Sequence, residues 1–307
     1  INFRNFDSYK LSFDKKLNIL FGINGCGKTN ILEGISLIDK GRGIRNSNIS
    51  SLIKNNQKKF LIKSNLEIKN NTFDIEIFTE NKNEKLKKII KINNDLSKES
   101  LDFLNQSISY LLFVPEMERM FQASPTYRRN FLDRLIYSSN NNYNRLINRY
   151  KKYLIERTQI LQATNVDSDW LNQIEKEICF LGLEIYKLRA SQLVSINTNI
   201  KILKKEHNFK LNFELKLKDN FYNNETTFEK YLTNLQESRA NDRQYGGTKI
   251  GPHRSDIIAN INDDFDASML STGQQKTIVL MILLSQCNYL VKYKDIRPIL
   301  LFDEIGS

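Results

Sequence analysis

The chain has 307 residues, with 46 Lys+Arg against 35 Asp+Glu, a formal net charge of +11 and 40% apolar residues. That length allows two or three domains at about 100–200 residues each. The longest uninterrupted apolar run, Ile278 to Leu284, falls far short of the roughly 18 residues that span a bilayer, and no targeting segment is visible at the start. No membrane association is therefore expected.

The cysteines (Cys26, Cys179, Cys287) stand far apart and the chain has only 2 His. This argues against a zinc site or a disulfide framework and fits a reducing cytosol. The abundant Asn is scattered among periodic apolar residues, as expected of an AT-rich genome rather than of a prion-like segment. The basic excess suits a polyanionic partner, although many solvated surfaces are equally basic. The chain opens at Ile1 without an initiator Met and stops at Ser307 directly after a strand-like run, which reads as a piece of a longer protein.

Two short strands are expected first, at Ile1–Phe6 and Leu17–Phe21, followed by a glycine-rich turn and a helix over Asn30–Asp39. From Lys59 to Asn93 apolar residues alternate (Phe60, Ile62; Leu66, Ile68; Phe73, Ile75, Ile77). Asn70-Asn71 and Asn81-Lys82-Asn83 punctuate the run, which predicts antiparallel strands joined by hairpins. Tyr110–Pro115 reads as a buried strand with a proline stop. From Pro125 to about Lys205 the period is helical, with Gly182 the one glycine, so a long antiparallel helical pair is expected; its heptads are too irregular for a long coiled coil. Strands return at Leu211–Leu217 and Asp256–Ile261. A helix over Gly273–Tyr293 and a strand at Ile299–Phe302 complete the pattern.

Three segments carry chemistry. Gly22-Ile23-Asn24-Gly25-Cys26-Gly27-Lys28-Thr29 matches G-x-x-x-x-G-K-[ST] between an apolar strand and a helix. Its glycines let backbone N–H groups curl around phosphates, Lys28 can reach the β/γ oxygens and the Thr29 hydroxyl can ligate Mg²⁺. Cys26 fills a permissive loop slot, with no base paired to it. Ile299–Phe302 ends in Asp303-Glu304, where Asp303 can hold the Mg²⁺ shell and Glu304 can polarise an attacking water. Ser271-Thr272-Gly273-Gln274 precedes a helix; it is either an ordinary N-cap or a second phosphate contact presented to another subunit. Phosphate loop, long insertion, Ser-x-Gly-Gln helix and Asp-Glu strand, in that order, mark ABC-type ATPases among phosphate-loop proteins.

With these motifs the sequence resembles the RecF family of SMC/ABC-type ATPases. Phe3-Arg4-Asn5-Phe6 resembles its first strand. Gly22 through Asn30-Ile31-Leu32-Glu33 is similar to its extended phosphate loop, and Gly41-Arg42-Gly43-Ile44-Arg45 to the basic turn that follows. Phe113-Val114-Pro115-Glu116, Ser124-Pro125 and Arg128-Arg129-Asn130-Phe131-Leu132-Asp133 resemble its central signature, and Gly251-Pro252-His253-Arg254-Ser255-Asp256 its GPHR-D segment. These matches run in family order across nearly the whole chain. Thr272 stands where transporter signatures carry a glycine, which argues against a transporter subunit. The family often has a second Asp at the position of Glu304.

The resemblance implies an α/β ABC-type ATPase head, a mixed sheet with helices, carrying an inserted helical lobe. Residues 1–115 and 206–307 would form the two parts of the head and 116–205 the lobe. ATP and Mg²⁺ are the implied cofactors. Nucleotide contacts fall on Gly22, Ile23, Asn24, Gly25, Cys26, Gly27, Lys28, Thr29 and Asn30, with Ser271, Gly273 and Gln274 facing the nucleotide of a second copy; Thr29 and Asp303 are the metal ligands and Glu304 the catalytic residue. The implied role is an ATP-dependent homodimer that binds single-strand gaps, junctions and duplex DNA. It would cooperate with RecR-type and RecO-type mediators in loading recombinase, with links to replication restart and the SOS response. A weak, DNA-stimulated ATPase activity is expected of the full-length protein. An SMC-like chromosome-structural head is the alternative; such heads need far longer arms than this insertion.

Between Arg128 and Arg157 basic residues outnumber Asp133 and Glu156, and Tyr137, Tyr143, Tyr150 and Tyr153 interleave with them. Arg128, Arg129, Arg145, Arg149, Lys151 and Lys152 are the DNA-binding candidates, contacting phosphates while tyrosines stack on unpaired bases. The other reading, a solvated helix face with inward tyrosines, stays open for each single residue. His253 is read as a turn-fixing residue and Trp170 as core.

Overall fold

The computed structural model describes residues 1–14, 16–38, 43–45, 47–68, 71–82, 85–207, 209, 211–223, 225–261 and 265–304. In chain order its elements begin with α1 (Lys28–Ser36), the strands β1 (Leu61–Ile68), β2 (Asn71–Lys82) and β3 (Lys85–Ile92), α2 (Lys98–Ser107) and β4 (Tyr110–Phe113). Three helices follow, α3 (Pro125–Tyr137), α4 (Tyr143–Gln162) and α5 (Ser168–His207), then β5 (Phe213–Lys218), α6 (Phe228–Glu237) and α7 (Arg239–Tyr245). The last elements are β6 (Asp256–Ile261), β7 (Phe265–Asp266), α8 (Thr272–Lys294) and β8 (Ile299–Phe302). The chain divides into two compact units, Ile1–Pro115 with Ile296–Ser307, and Glu116–Asp295.

In the first unit β1, β2 and β3 form an antiparallel meander. Phe73, Ile75, Ile77 and Thr79 of β2 point to one side and are buried, as the period-2 pattern requires. Phe73, Ile75 and Ile77 pack with Phe3, Leu37, Leu52, Phe60, Leu104 and Ile108 into one core. Ser97 caps α2, its hydroxyl accepting from the Ser100 N–H at 3.1 Å. β4 and β8 pair in parallel, Tyr110 opposite Ile299 through Phe113 opposite Phe302. The ladder continues past β8, where the Asp303 N–H donates to the Phe113 carbonyl at 3.0 Å.

Two expected strands take other forms. Ile1–Phe6 closes a tight turn in which Phe3 bridges Phe6 and Ile53, with Asn2 and Arg4 in the left-handed region at φ 52 and 51. Leu17–Phe21 joins no ladder among the described residues, and Leu17, Ile19 and Phe21 are 75%, 74% and 91% exposed. The alternation that predicted a strand is a side-chain property. A strand forms only where a neighbouring edge accepts its backbone hydrogen bonds, and none of the described strands does so for Leu17–Phe21. Gly41 and Arg42 of the basic turn, and Asn70 and Asn83 of the hairpins, lie outside the described residues.

In the second unit the helical tract is three helices, α3, α4 and α5, of which α5 has 40 residues. Its residues share the unit with 206–295, where β5, β6 and β7 make an antiparallel sheet. Gly182 in α5 serves close packing: a Cβ there would lie 2.8 Å from the ring of Tyr231 in α6. Trp170, expected in the core, is 47% exposed; it sits in the first turn of α5, where its backbone N–H is capped by Asp167 at 2.9 Å.

The interior of this unit is built around buried arginines. Arg157, fully buried, donates to Glu175 at 3.0 Å, to Asp242 at 2.7 Å, to Thr248 at 2.9 Å and to the Leu235 carbonyl at 2.7 Å. Arg189 grips Asp133 with both arms at 2.9 Å. Such pairs hold only with most donors satisfied, because an unpaired buried charge costs several kcal/mol, on the order of 3–5. Tyr143 and Tyr150 are 1% and 2% exposed; the Tyr143 hydroxyl donates to Asp133 at 2.6 Å. Of the two readings left open for these tyrosines, both residues take the inward one, since neither ring is open to a base.

Beside them His253 is fixed at both ring nitrogens, Nδ1 with the Tyr150 hydroxyl at 2.8 Å and Nε2 with the Thr248 carbonyl at 2.9 Å. Nε2 therefore carries the proton and Nδ1 accepts. Burial first, and then the charges of Arg254, Arg129 and Arg189, push its pKa down to about 4, below the ordinary value near 6.5. A depressed histidine contributes stability above its unfolded pKa and loses it as pH falls through the folded one. Stability of about 3 kcal/mol should therefore drain between roughly pH 6.5 and 4. The check is urea unfolding at pH 7.5 and 4.5: the wild type should lose more than His253→Asn does, and equal losses would remove His253 from the account.

Candidate nucleotide-binding site

The loop Gly22–Gly27 leads into α1 through backbone that only glycine adopts without strain. Gly25 and Gly27 have φ of 83 and 102, and a Cβ on Gly27 would meet the Phe6 ring. Lys28 opens α1, and its ammonium donates to the Gly22 carbonyl at 2.7 Å and the Ile23 carbonyl at 3.0 Å. The lysine thus holds its own loop in a curl with a positive charge at the centre. Thr29, one residue on, donates from Oγ1 to Asp303 Oδ1 at 3.1 Å. Asp303 follows β8 directly and is 9% exposed. A hydroxyl and a carboxylate far apart in sequence thus meet at the base of the loop, and hard oxygen donors of this kind suit Mg²⁺. Glu304 is exposed, with its backbone in the left-handed region at φ 51.

The loop is braced from behind. Arg4 donates to both carboxylate oxygens of Glu33 at 2.7 Å, and Glu33 is 0% exposed in α1. Asn30 donates to Asn5 at 2.8 Å and accepts from Arg45 at 3.1 Å. These contacts tie α1 to the N-terminal turn. In the sequence Arg4, Asn5 and Glu33 are motif letters whose spacing indicates no role. The one local signal was an acid at a position of α1 that faces inward.

In the second unit Ser271 caps α8 in a closed capping box. Its hydroxyl accepts from the Gln274 N–H at 3.3 Å, and the Gln274 side-chain carbonyl accepts from the Ser271 N–H at 3.2 Å. Ser271, Gly273 and Gln274 are all exposed. Lys276 pairs with Glu118 at 2.7 Å and Gln275 donates to the Leu270 carbonyl at 2.9 Å, so the start of α8 is held rigidly.

The family described as RecF/RecN/SMC N terminal domain matches residues 1–307. The chain is 33% identical over 307 residues to the DNA replication and repair protein RecF of Rickettsia massiliae, covering 99% of this chain and 84% of that protein. The chain belongs to the RecF family. RecF of Rickettsia prowazekii is likewise 33% identical, with the same coverage. Among solved structures, a recombination mediator protein RecF with ATP in the RecFOR pathway superposes with a TM-score of 0.87 at 28% identity, covering 99% of this chain and 83% of that one. A RecF-ATPrS structure gives the same TM-score and identity. The fold is accordingly the ABC-type ATPase head of RecF proteins, a mixture of helices and sheets; the mixed sheet expected from the sequence is, among the described residues, two antiparallel sheets and one parallel pair.

In this RecF-family chain the six basic candidates have different surroundings. Arg128 is committed inside the protein: it pairs with both oxygens of Asp256 at 2.8 and 2.7 Å, donates to the Phe121 and Ala123 carbonyls and is 11% exposed as a side chain. Arg129 is half-buried and donates to the Ser255 carbonyl at 2.6 Å. Arg145, Arg149, Lys151 and Lys152 lie exposed along α4, Arg149 in a loose surface pair with Glu177 at 3.3 Å. Lys151 and Lys152 line a shallow groove with Asn148, Ile155, Glu156 and Gln159. Among the described residues no helix is long and apolar enough to cross a membrane.

Proposed function

We propose that this RecF-family chain is an ATP-regulated DNA-binding factor of replication and repair, which dimerises on ATP at single-strand gaps and duplex junctions in the cytoplasm. The observation that carries the reading is the 3.1 Å bond from Thr29 to Asp303, which joins the phosphate loop to the carboxylate strand in one site. Lys28 exchanges the Gly22 and Ile23 carbonyls for phosphate oxygens, and the backbone N–H groups of Asn24 through Thr29 surround the phosphates. Thr29 and Asp303 hold Mg²⁺, which neutralises phosphate charge when bound. Glu304, exposed beside them, orients and deprotonates the hydrolytic water. The relatives' naming as replication and repair proteins and the RecFOR setting of the similar structure support DNA and RecR-type and RecO-type mediators as partners.

The test is binding to gapped, blunt-duplex and single-stranded DNA with and without ATP. Affinity should be highest for gapped DNA with ATP and should fall with salt at a log–log slope of about −0.9 per neutralised duplex phosphate. Reversing the exposed pair, as Lys151→Glu with Lys152→Glu, should flatten that slope without unfolding the chain, since neither side chain supports the core. A salt-independent affinity, or discrimination between sequences of equal structure, would contradict the reading.

A further inference from the structure

The turn Gly251–Ser255 is buried at Gly251, Pro252 and Ser255 and comes to the surface at Arg254. Beneath it Arg189 donates to the Pro252 carbonyl and to the Ser255 hydroxyl. His253 is pinned between Tyr150 and Thr248. Gly251, at φ +121, leaves no room for a Cβ, which would fall on the Tyr150 and Tyr231 hydroxyls. The Arg254 N–H closes the turn on the Gly251 carbonyl at 2.8 Å. What this framework holds in place at the surface is Arg254, which is exposed and, among the described residues, donates from its side chain through Nε to the Thr248 carbonyl at 3.2 Å.

Arg129 meets the same turn from α3. Its Nη1 donates to the Ser255 carbonyl and its Nη2 to Thr126 at 2.8 Å. Four guanidinium groups therefore converge here, and the nearby carboxylates are already taken: Asp256 by Arg128, Asp133 by Arg189. Arg129 and Arg254 have no ion-pair partner among the described residues. Burial and the charges of Arg189 and Arg254 hold the pKa of Arg129 down. Asp256 and Asp133 act on Arg129 only from a distance, so two arginines without an ion pair of their own stand side by side on a braced turn, an arrangement suited to an anion from outside. The planar donor fork of arginine matches phosphate oxygens, and an open surface suits a polymer backbone passing over it better than an enclosed small molecule.

We infer that Arg129 and Arg254, presented by the Gly251–Ser255 turn, form a subsite for a backbone phosphate of DNA. This rests on the DNA-binding reading above. The subsite fixes where the duplex lies and reads no sequence, as phosphate contacts do.

The experiment measures binding of gapped duplex DNA across a salt series for the wild type, Arg254→Gln, Arg254→Lys and Arg129→Lys, with thermal melting as a folding control and ATP titration as a second readout. Arg254→Gln should lower the salt slope by about 0.9 and weaken binding equally on unrelated sequences, with melting and ATP affinity unchanged. Arg254→Lys should keep the slope, because the charge remains, while affinity drops through loss of the fork. Arg129→Lys should weaken DNA binding while keeping the slope. Wild-type protein without salt-sensitive DNA affinity would overturn the DNA reading and the subsite with it. Wild-type protein that binds steeply, with Arg254→Gln indistinguishable from it, would overturn the subsite alone and assign the pair to an acidic protein partner.

Discussion

Replacing Lys28 by alanine is expected to remove tight ATP binding while leaving the fold in place. The ammonium already sits against the Gly22 and Ile23 carbonyls at 2.7 and 3.0 Å, in the mouth of a loop whose residues 21–26 are exposed. Nothing in the core of the first unit rests on it, so melting of Lys28→Ala should match the wild type. Binding should suffer heavily: a charged hydrogen bond contributes about 1.5–3 kcal/mol, and Lys28 can give more than one to the β/γ oxygens. A loss of at least about a hundredfold follows, since each 1.4 kcal/mol is tenfold. Titration calorimetry checks it, and unchanged ATP affinity would sink the assignment of the phosphate loop.

ATP should also act as the glue between two copies. In ABC-type heads the Ser-x-Gly-Gln turn of one copy faces the γ-phosphate bound by the other. Here Ser271 and Gly273 are exposed at the start of α8, and the capping box with Gln274 satisfies that end within the chain. The turn is therefore preorganised and exposed, and its hydroxyl, which donates to Gln274 Oε1 at 3.0 Å, would exchange that exposed bond for one to an anion at the helix N-terminus. A two-fold axis would place both turns against both nucleotides. ADP lacks the γ-phosphate and should leave the chain monomeric. Sedimentation with ATP, ADP and no nucleotide should show dimer with ATP alone, and Ser271→Arg should abolish it by putting a bulky cation in the apposed surface. The cap lost in that variant costs only about 1 kcal/mol, so the folded monomer should survive. A dimer that forms equally with ADP, or persists in Ser271→Arg, would reduce the turn to a helix cap.

Local order was readable wherever a few neighbouring residues decide it. The glycine spacing of 22–27 dictates a loop of left-handed turns, the alternation in Phe73–Ile77 dictates a half-buried strand, and Ser271 with Gln274 dictates a helix start. The helical period from Pro125 onward was equally clear, because apolar spacing and helix pitch are the same quantity. Tertiary structure alone decided which of these features meet and which side chains remain available. Arg128 and Arg129 are indistinguishable as sequence neighbours, yet α3 turns one onto Asp256 and leaves the other on a carbonyl beside Arg254. Tyr143 and Tyr150 look like stacking surfaces until their hydroxyls are seen to close buried bonds with Asp133 and His253. Leu17–Phe21 has the pattern of a strand and joins no ladder among the described residues. Pairing, burial and the neutralisation of charge depend on residues distant along the chain, such as Thr29 with Asp303 or Arg4 with Glu33. A sequence carries no local term for them; the packed core brings them within bonding distance.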